Sequence, residues 1–207
     1  MHVIGQFRDI DDPDRLVWLR GFPDMTTRAE SLQAFYGGPV WKMHRDAANA
    51  TMIDSDNVLL LHPSRPGSGF SADLRSRPPR GATGAGPGLV IAAIHSLDTR
   101  GGSAVAGYFE RTLAPAMTDA GAAVLAWFVT ETSPNTFPGL PVRENENVFV
   151  WFAGFGDAST EFELPLRDAP GLTEPPQLLR LIPTARSRLV GSSPPCPAMP
   201  ALHARHA

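Results

Sequence analysis

The chain has 207 residues, with 18 Lys+Arg against 21 Asp+Glu and a net charge of −3. This balance argues against nucleic-acid binding, because nucleic-acid-binding domains usually present a basic face. The hydrophobic fraction of 43% excludes a fully disordered chain. The single cysteine excludes an internal disulfide and a cysteine-cluster metal site, and we expect neither a metal nor another cofactor. Without a signal-peptide pattern or an apolar run of roughly 20 residues, the sequence predicts a cytoplasmic protein with no membrane partner.

Two stretches rich in breaker residues divide the chain. Residues 64–88 contain six Gly and four Pro with almost no apolar side chains, which predicts a flexible linker or a long loop. Residues 191–207 contain four Pro and no periodic pattern, which predicts a disordered tail. The segments that remain, residues 1–63 and 89–190, are the candidate structural units.

The two units resemble each other in sequence. The segment VWLRGFPD at residues 17–24 aligns with VWFAGFGD at residues 150–157, and five of the eight positions are identical. In both copies an alternating strand runs into Gly-Phe and then into an Asp that can cap a helix. The chain therefore has the pattern of a tandem duplication.

The second unit has the more complete pattern. Apolar runs and alternation predict strands over residues 89–96, 124–131, 147–155 and 177–183, and three-to-four spacing predicts a helix over residues 102–119 that Pro115 kinks. A weak helix is predicted over residues 157–167. The resulting order is βαββαβ, the ferredoxin-like plan, in which the first strand lies between the third and the fourth.

The first unit begins at the second strand of the same plan. We predict strands over residues 3–8, 15–22 and 57–62, and helices over residues 25–35 and from Pro39 to about Ala50. The first strand and the first helix of the plan have no counterpart. We therefore predict a shortened form of a longer protein; the alternatives are that the linker or a second subunit supplies the missing strand.

Several stretches of both units resemble the NIPSNAP family. In the first unit they are GQFRD (5–9), DPDR (12–15), VWLRGF (17–22), FYGGPVW (35–41), NATM (49–52) and DSDNV (54–58). In the second unit they are NTFP (135–138), LPVRE (140–144) and TARS (184–187). The resemblance covers most of residues 3–63 and 89–190 and omits the linker and the tail.

The resemblance implies an α+β protein built from tandem ferredoxin-like units of the dimeric α/β-barrel type. The first unit would lack its amino-terminal strand and helix. A chain with two units could close such a barrel within itself, and the resemblance also leaves a homodimer open. The family is related to cofactor-independent monooxygenases, but it brings no catalytic motif to carry over.

Aromatic and polar residues of the first unit form the candidate ligand site. Trp18 and its counterpart Trp151 alternate onto one face of a strand, where they either fill the space between sheets or form an aromatic wall at a barrel mouth. On the helix opened by Pro39, Trp41 and Asn49 share a face that His44 borders. The sequence thus proposes Trp18, Trp41, His44 and Asn49 as ligand-binding candidates and identifies no catalytic residue.

His95 beside Ser96 suggests a hydrolytic pair, but adjacent strand residues point to opposite faces, which argues against one.

Three functions stay open. The first is a small hydrophobic or aromatic molecule bound in the barrel by a NIPSNAP-type protein of unknown reaction. The second is a cofactor-independent monooxygenase or isomerase, so the sequence does not decide whether the chain is an enzyme. The third is a structural or interaction protein whose barrel is filled by side chains.

Overall fold

The structure, a computed structural model, describes residues 1–98, 102–160 and 174–192. Its strands are β1 (His2–Asp9), β2 (Leu16–Gly21), β3 (Leu61–Pro63), β4 (Leu89–Ser96), β5 (Ala123–Thr130), β6 (Val148–Phe155) and β7 (Gln177–Pro183). Its α-helices are α1 (Met25–Gly37), α2 (Pro39–Asn49), α3 (Gly102–Tyr108) and α4 (Ala114–Asp119). Most of the helix predicted over residues 157–167 and nearly all of the predicted tail lie outside the described residues.

All seven strands belong to one antiparallel sheet with the order β2-β1-β7-β4-β6-β5-β3. The two halves of the chain join twice, through β1 against β7 and through β3 against β5. Every neighbouring pair is antiparallel, so the two end strands, β2 and β3, run in the same direction. The chain is therefore an α+β protein, and in its described residues one sheet contains strands from both halves of the chain.

The strand at residues 89–96 is central, as the sequence predicts. β4 pairs with β6 along its whole length and with β7 on its other edge. A run of apolar residues without alternation is typical of a strand covered on both faces. The four strands of the second half follow the order fourth, first, third, second, which is the order that the βαββαβ plan predicts.

The sheet has two packed faces. The helix face carries Trp151, Phe149 and Ile91 against the side chains of α3, α4 and the turn between them. The opposite face, called the inner face here, packs apolar side chains of all seven strands into one cluster: Phe7, Val17, Leu19, Leu61, Val90, Phe128, Phe152 and Leu181. Because residues from both ends of the sheet share this cluster, the sheet curls around it.

The long helix predicted over residues 102–119 is interrupted. A π-helical turn, Phe109–Leu113, separates α3 from α4, and Pro115 lies in the first turn of α4. Proline has no N–H to donate, and its ring crowds the carbonyl four residues earlier, so the regular α-helical bonds cannot continue through this point. The wider turn still directs Phe109 and Leu113 into the core.

The first half has the predicted elements with one change. The bounds of β1, β2, α1 and α2 agree with the sequence to within two residues. The strand predicted over residues 57–62 is wrong in its bounds: β3 comprises only Leu61–Pro63. Before it, the carbonyls of Val58 and Leu60 accept hydrogen bonds from Arg143 and Glu131 in the second half. These residues thus pair with a loop, which leaves no regular ladder.

Residues 64–88 pack against the sheet although their composition predicts no buried face. On the inner face, the Phe70 ring packs against the rings of Phe128 and Phe152, with centroid distances of 5.2 and 5.1 Å. Ser68 is fully buried and donates to the carbonyl of Trp127. Average composition hides this packing, because one aromatic side chain and a few hydrogen bonds suffice to fix a loop of low hydrophobicity.

Candidate ligand site

The structure distributes the four predicted site residues over two elements. Trp18 lies on β2 and is 37% exposed. Trp41 is half-buried in the first turn of α2, and His44 and Asn49 are exposed farther along that helix, which buries no side chain. Among the described residues no ring contact joins Trp18 to Trp41, so any link between them needs other side chains.

Trp18 lies on the face of β2 that points away from the inner cluster. Val17 and Leu19 pack into that cluster, so the alternation of the strand directs Trp18 and Arg20 to the opposite face. The Arg20 guanidinium lies over the Trp18 ring, 4.6 Å from its centroid. Trp151 is likewise on the helix face. The two tryptophans therefore do not fill the space inside the curled sheet, where Val, Leu and Phe side chains already pack.

Arg28 is the central residue of the site. α1 begins after Asp24, whose carboxylate accepts from the N–H of Thr27 at 2.6 Å, and Arg28 follows in the first turns. The pKa of Asp24 is lowered by that bond. Only 3% of Arg28 is exposed. Its Nη1 donates to Asn135 Oδ1 at 3.0 Å and to the hydroxyl of Thr136 at 3.4 Å.

The loop that receives Arg28 is held in place by its own hydrogen bonds. Asn135 donates from Nδ2 to the carbonyl of Leu140, and Asn135 Oδ1 also accepts from the N–H of Phe137. The Thr136 hydroxyl donates to the carbonyl of Met25 at 2.9 Å. The start of α1 and the loop between β5 and β6 therefore form one joint, built from residues more than 100 positions apart in the sequence.

The joint is electropositive. Burial lowers the pKa of Arg28, and the nearby charge of Arg20 lowers it further, while Tyr36 has the opposite effect. Arg28 Nη2 and Arg20 Nη1 are buried and have no hydrogen-bond partner, and neither side chain pairs with a carboxylate among the described residues. The guanidinium groups of Arg20 and Arg28 thus lie near each other, and no carboxylate of the described residues neutralises either of them.

An aromatic cluster adjoins the arginines. The Tyr36 ring meets the rings of Phe35 and Trp41 edge to face, with centroid distances of 4.9 and 5.0 Å. It stacks on the Phe137 ring with a centroid distance of 5.6 Å. Phe137 belongs to the same loop as Asn135. Ring contacts therefore connect Trp41 through Tyr36 and Phe137 to the loop that holds Arg28. The effect of Tyr36 on the pKa of Arg28 also indicates that the aromatic cluster lies near the arginines.

A cleft of about 570 Å³ lies in the loop whose Asn135 accepts a hydrogen bond from Arg28. Its lining residues are Pro134, Asn135, Pro138, Pro141, Val142 and Glu144. The cleft shares Asn135 with the arginine joint. Its volume is within the usual range for small-molecule sites, and a mostly apolar lining with a few polar groups is typical of them.

The site offers binding groups rather than nucleophiles. Among the described residues no group of three or more His, Cys, Asp or Glu could hold a metal ion. His95 lies elsewhere, on the helix face: it is 2% exposed, and its Nε2 accepts from Trp151 Nε1 at 2.9 Å. Burial lowers the pKa of His95 to about 4. Ser96 is exposed, which agrees with the expectation that the two residues point to opposite faces.

Sequence reasoning missed Arg20, Arg28, Tyr36 and Phe137. One signal was present for Arg28: it lies four residues before Leu32, so both share a helix face, and both are buried. An arginine on the apolar face of a helix needs an explanation. Its acceptors on a distant loop gave no local signal.

Comparison with family models, with curated proteins and with solved structures finds no match for this chain. In the part of the chain that the structure describes, no helix is both long and apolar enough to cross a membrane.

Proposed function

We propose that the chain is a small-molecule-binding protein of NIPSNAP type, with its site where α1 meets the loop between β5 and β6. The observation that carries the proposal is the buried Arg28, which links the two halves of the chain by donating to Asn135, a lining residue of a cleft of about 570 Å³. The ligand is a small molecule with a hydrophobic or aromatic body, because prolines line the cleft and the same loop carries Phe137, on which Tyr36 stacks. Binding there needs both halves.

The same proposal covers the finer architecture: two tandem ferredoxin-like units of the dimeric α/β-barrel type, the first without its initial strand and helix. The strand order of the second half supports it, as do the two pairings between the halves. Support also comes from the end strands β2 and β3. Since they run in the same direction, one strand antiparallel to both would complete an alternating ring of eight strands.

A second candidate function is supported by the inner face. Phe7, Phe70, Phe128 and Phe152 pack there with the aliphatic side chains of the strands. A filled interior is expected of a structural or interaction protein, and it places a ligand site outside the curl of the sheet. The arginine joint lies outside the inner cluster, so it can bind a ligand while the interior stays filled.

Tryptophan fluorescence tests the proposed site. We expect the neutral aromatic probe 2-naphthylmethanol to quench the emission of the full chain, because Trp41 is connected through Tyr36 and Phe137 to the loop that forms the cleft. Trp41→Phe should remove a large part of the quenching. The control is Trp127→Phe, since Trp127 contacts Phe109 and Glu110 away from the joint. Quenching that survives Trp41→Phe and disappears in Trp127→Phe would refute the site.

A further inference from the structure

We infer that the arginine joint binds an oxyanion, either a carboxylate or a phosphate monoester, carried on the aromatic or apolar body of the ligand. This inference rests on the proposed function and adds the chemical class of the ligand. The donors are Arg28 Nη2 and Arg20 Nη1, which are buried and have no hydrogen-bond partner among the described residues. Arg186 Nε, in the turn after β7, is likewise buried and unpartnered. The negative charge of the ligand supplies the counter-charge that the joint lacks.

A buried and unpaired guanidinium is costly, because the charge loses its hydration and gains no partner. Burial lowers the pKa of Arg28, and the positive charge of Arg20 lowers it further. Several arginines elsewhere in the described chain have acid partners, such as Arg15 with Asp9 and Arg65 with Glu110. Others donate to neutral oxygens, such as Arg75 to the carbonyl of Ser187. Arg28 Nη2 and Arg20 Nη1 have neither kind of partner, so both can donate to a group from outside.

The guanidinium groups are positioned before any ligand arrives. The Trp18 ring supports Arg20, and Asn135 with Thr136 holds one nitrogen of Arg28 while the other stays free. Planar guanidinium groups match the oxygens of carboxylates and phosphates, and charge-assisted bonds of this type are the strongest in proteins. Preorganisation lowers the entropy that binding costs.

The surroundings also orient the ligand. Glu144 lines the cleft, and its carboxylate repels an anion. The charged end of the ligand therefore faces Arg28 and Arg20, and its apolar body extends toward the prolines and the Phe137 ring. A ligand of the reverse polarity would place its charge beside Glu144 and leave both guanidinium groups unpaired.

Three probes of one shape test the inference on the full chain: 2-naphthoate, 2-naphthyl phosphate and the neutral 2-naphthamide. We expect at least one anion to bind about tenfold or more tightly than the amide, as measured by fluorescence titration. The advantage of the anion should fall to about twofold or less in Arg28→Met and in Arg20→Met. Arg180→Met, which removes one positive charge elsewhere, should keep it.

The outcomes separate this inference from the function on which it rests. A preference for naphthoate alone or for naphthyl phosphate alone supports the inference and identifies the oxyanion. Equal binding of all three probes overturns the inference and leaves the proposed function standing, whereas no binding of any probe contradicts both. If Arg28→Met fails to fold, Arg20→Met decides, because Arg20 lies on an end strand and is half-buried. An anion preference that persists in Arg20→Met would then overturn the inference.

Discussion

Replacing Trp151 with alanine should lower the free energy of unfolding by about 3–5 kcal/mol. Trp151 is fully buried at the centre of the helix face, with Phe109 stacked at 6.1 Å. It also donates its indole N–H to His95 at 2.9 Å. Truncation therefore opens a cavity between β6 and the helices and leaves His95 Nε2 without that donor. Urea unfolding followed by circular dichroism measures the loss.

The matched variant is Trp18→Ala, because Trp18 holds the corresponding place in the first half. It is 37% exposed and has the guanidinium of Arg20 over its ring. We expect a loss of about 1 kcal/mol, typical of a partly exposed side chain. Equal losses below 1 kcal/mol in both variants would contradict the core that the structure assigns to Trp151.

Acid should destabilise the protein through His95 by about 3 kcal/mol between pH 6.5 and pH 4. Burial lowers the pKa of His95 from 6.5 to about 4 in the folded chain. Between these two values the unfolded chain binds a proton at His95 that the folded chain does not bind. Stability from this group is therefore complete above pH 6.5, falls as the pH falls, and levels off below pH 4.

The variant His95→Gln isolates this effect, because glutamine does not titrate and its amide oxygen can accept from Trp151. Unfolding free energies of both proteins across this pH range should converge as the pH falls. His44→Gln is the control: His44 is exposed on α2, and its loss should leave the pH profile of the native chain unchanged. Parallel profiles for the native chain and His95→Gln would show that His95 is not buried as a neutral ring.

The second half of the chain could be predicted closely from the sequence, and the reason is local. The run LVIAAI at residues 89–94 has few polar atoms and must be covered on both faces, which makes β4 central. The alignment of residues 17–24 with residues 150–157 predicted a strand in each segment, and β2 and β6 lie there. Patterns of this kind depend on a few consecutive residues and therefore survive in any tertiary context.

Features that depend on distant residues could not be predicted. Residues 57–60 have a strand pattern, yet their partners are loop residues of the second half, so only Leu61–Pro63 forms a ladder. Phe70 is surrounded by glycines and serines and still packs on the inner face. In both cases the deciding contact is with a residue more than 50 positions away.

In the candidate site, too, the features that depend on consecutive residues could be predicted, and those that depend on distant residues could not. Trp18 and Trp41 were visible in the sequence as unusual aromatic positions; Trp18 contacts Arg20, and Trp41 contacts Tyr36. Arg28 was not identified, because its acceptors, Asn135 and Thr136, are brought to it only by the fold. Sequence patterns thus indicated the aromatic part of the site and missed its charged part.

A crystal structure of the full chain with 2-naphthoate tests most directly whether the ligand site lies where the two halves meet. We expect a carboxylate oxygen within about 3 Å of Arg28 Nη2 and the naphthalene ring beside Phe137 or Tyr36. Naphthoate on the inner face of the sheet, or away from both Arg20 and Arg28, would contradict it.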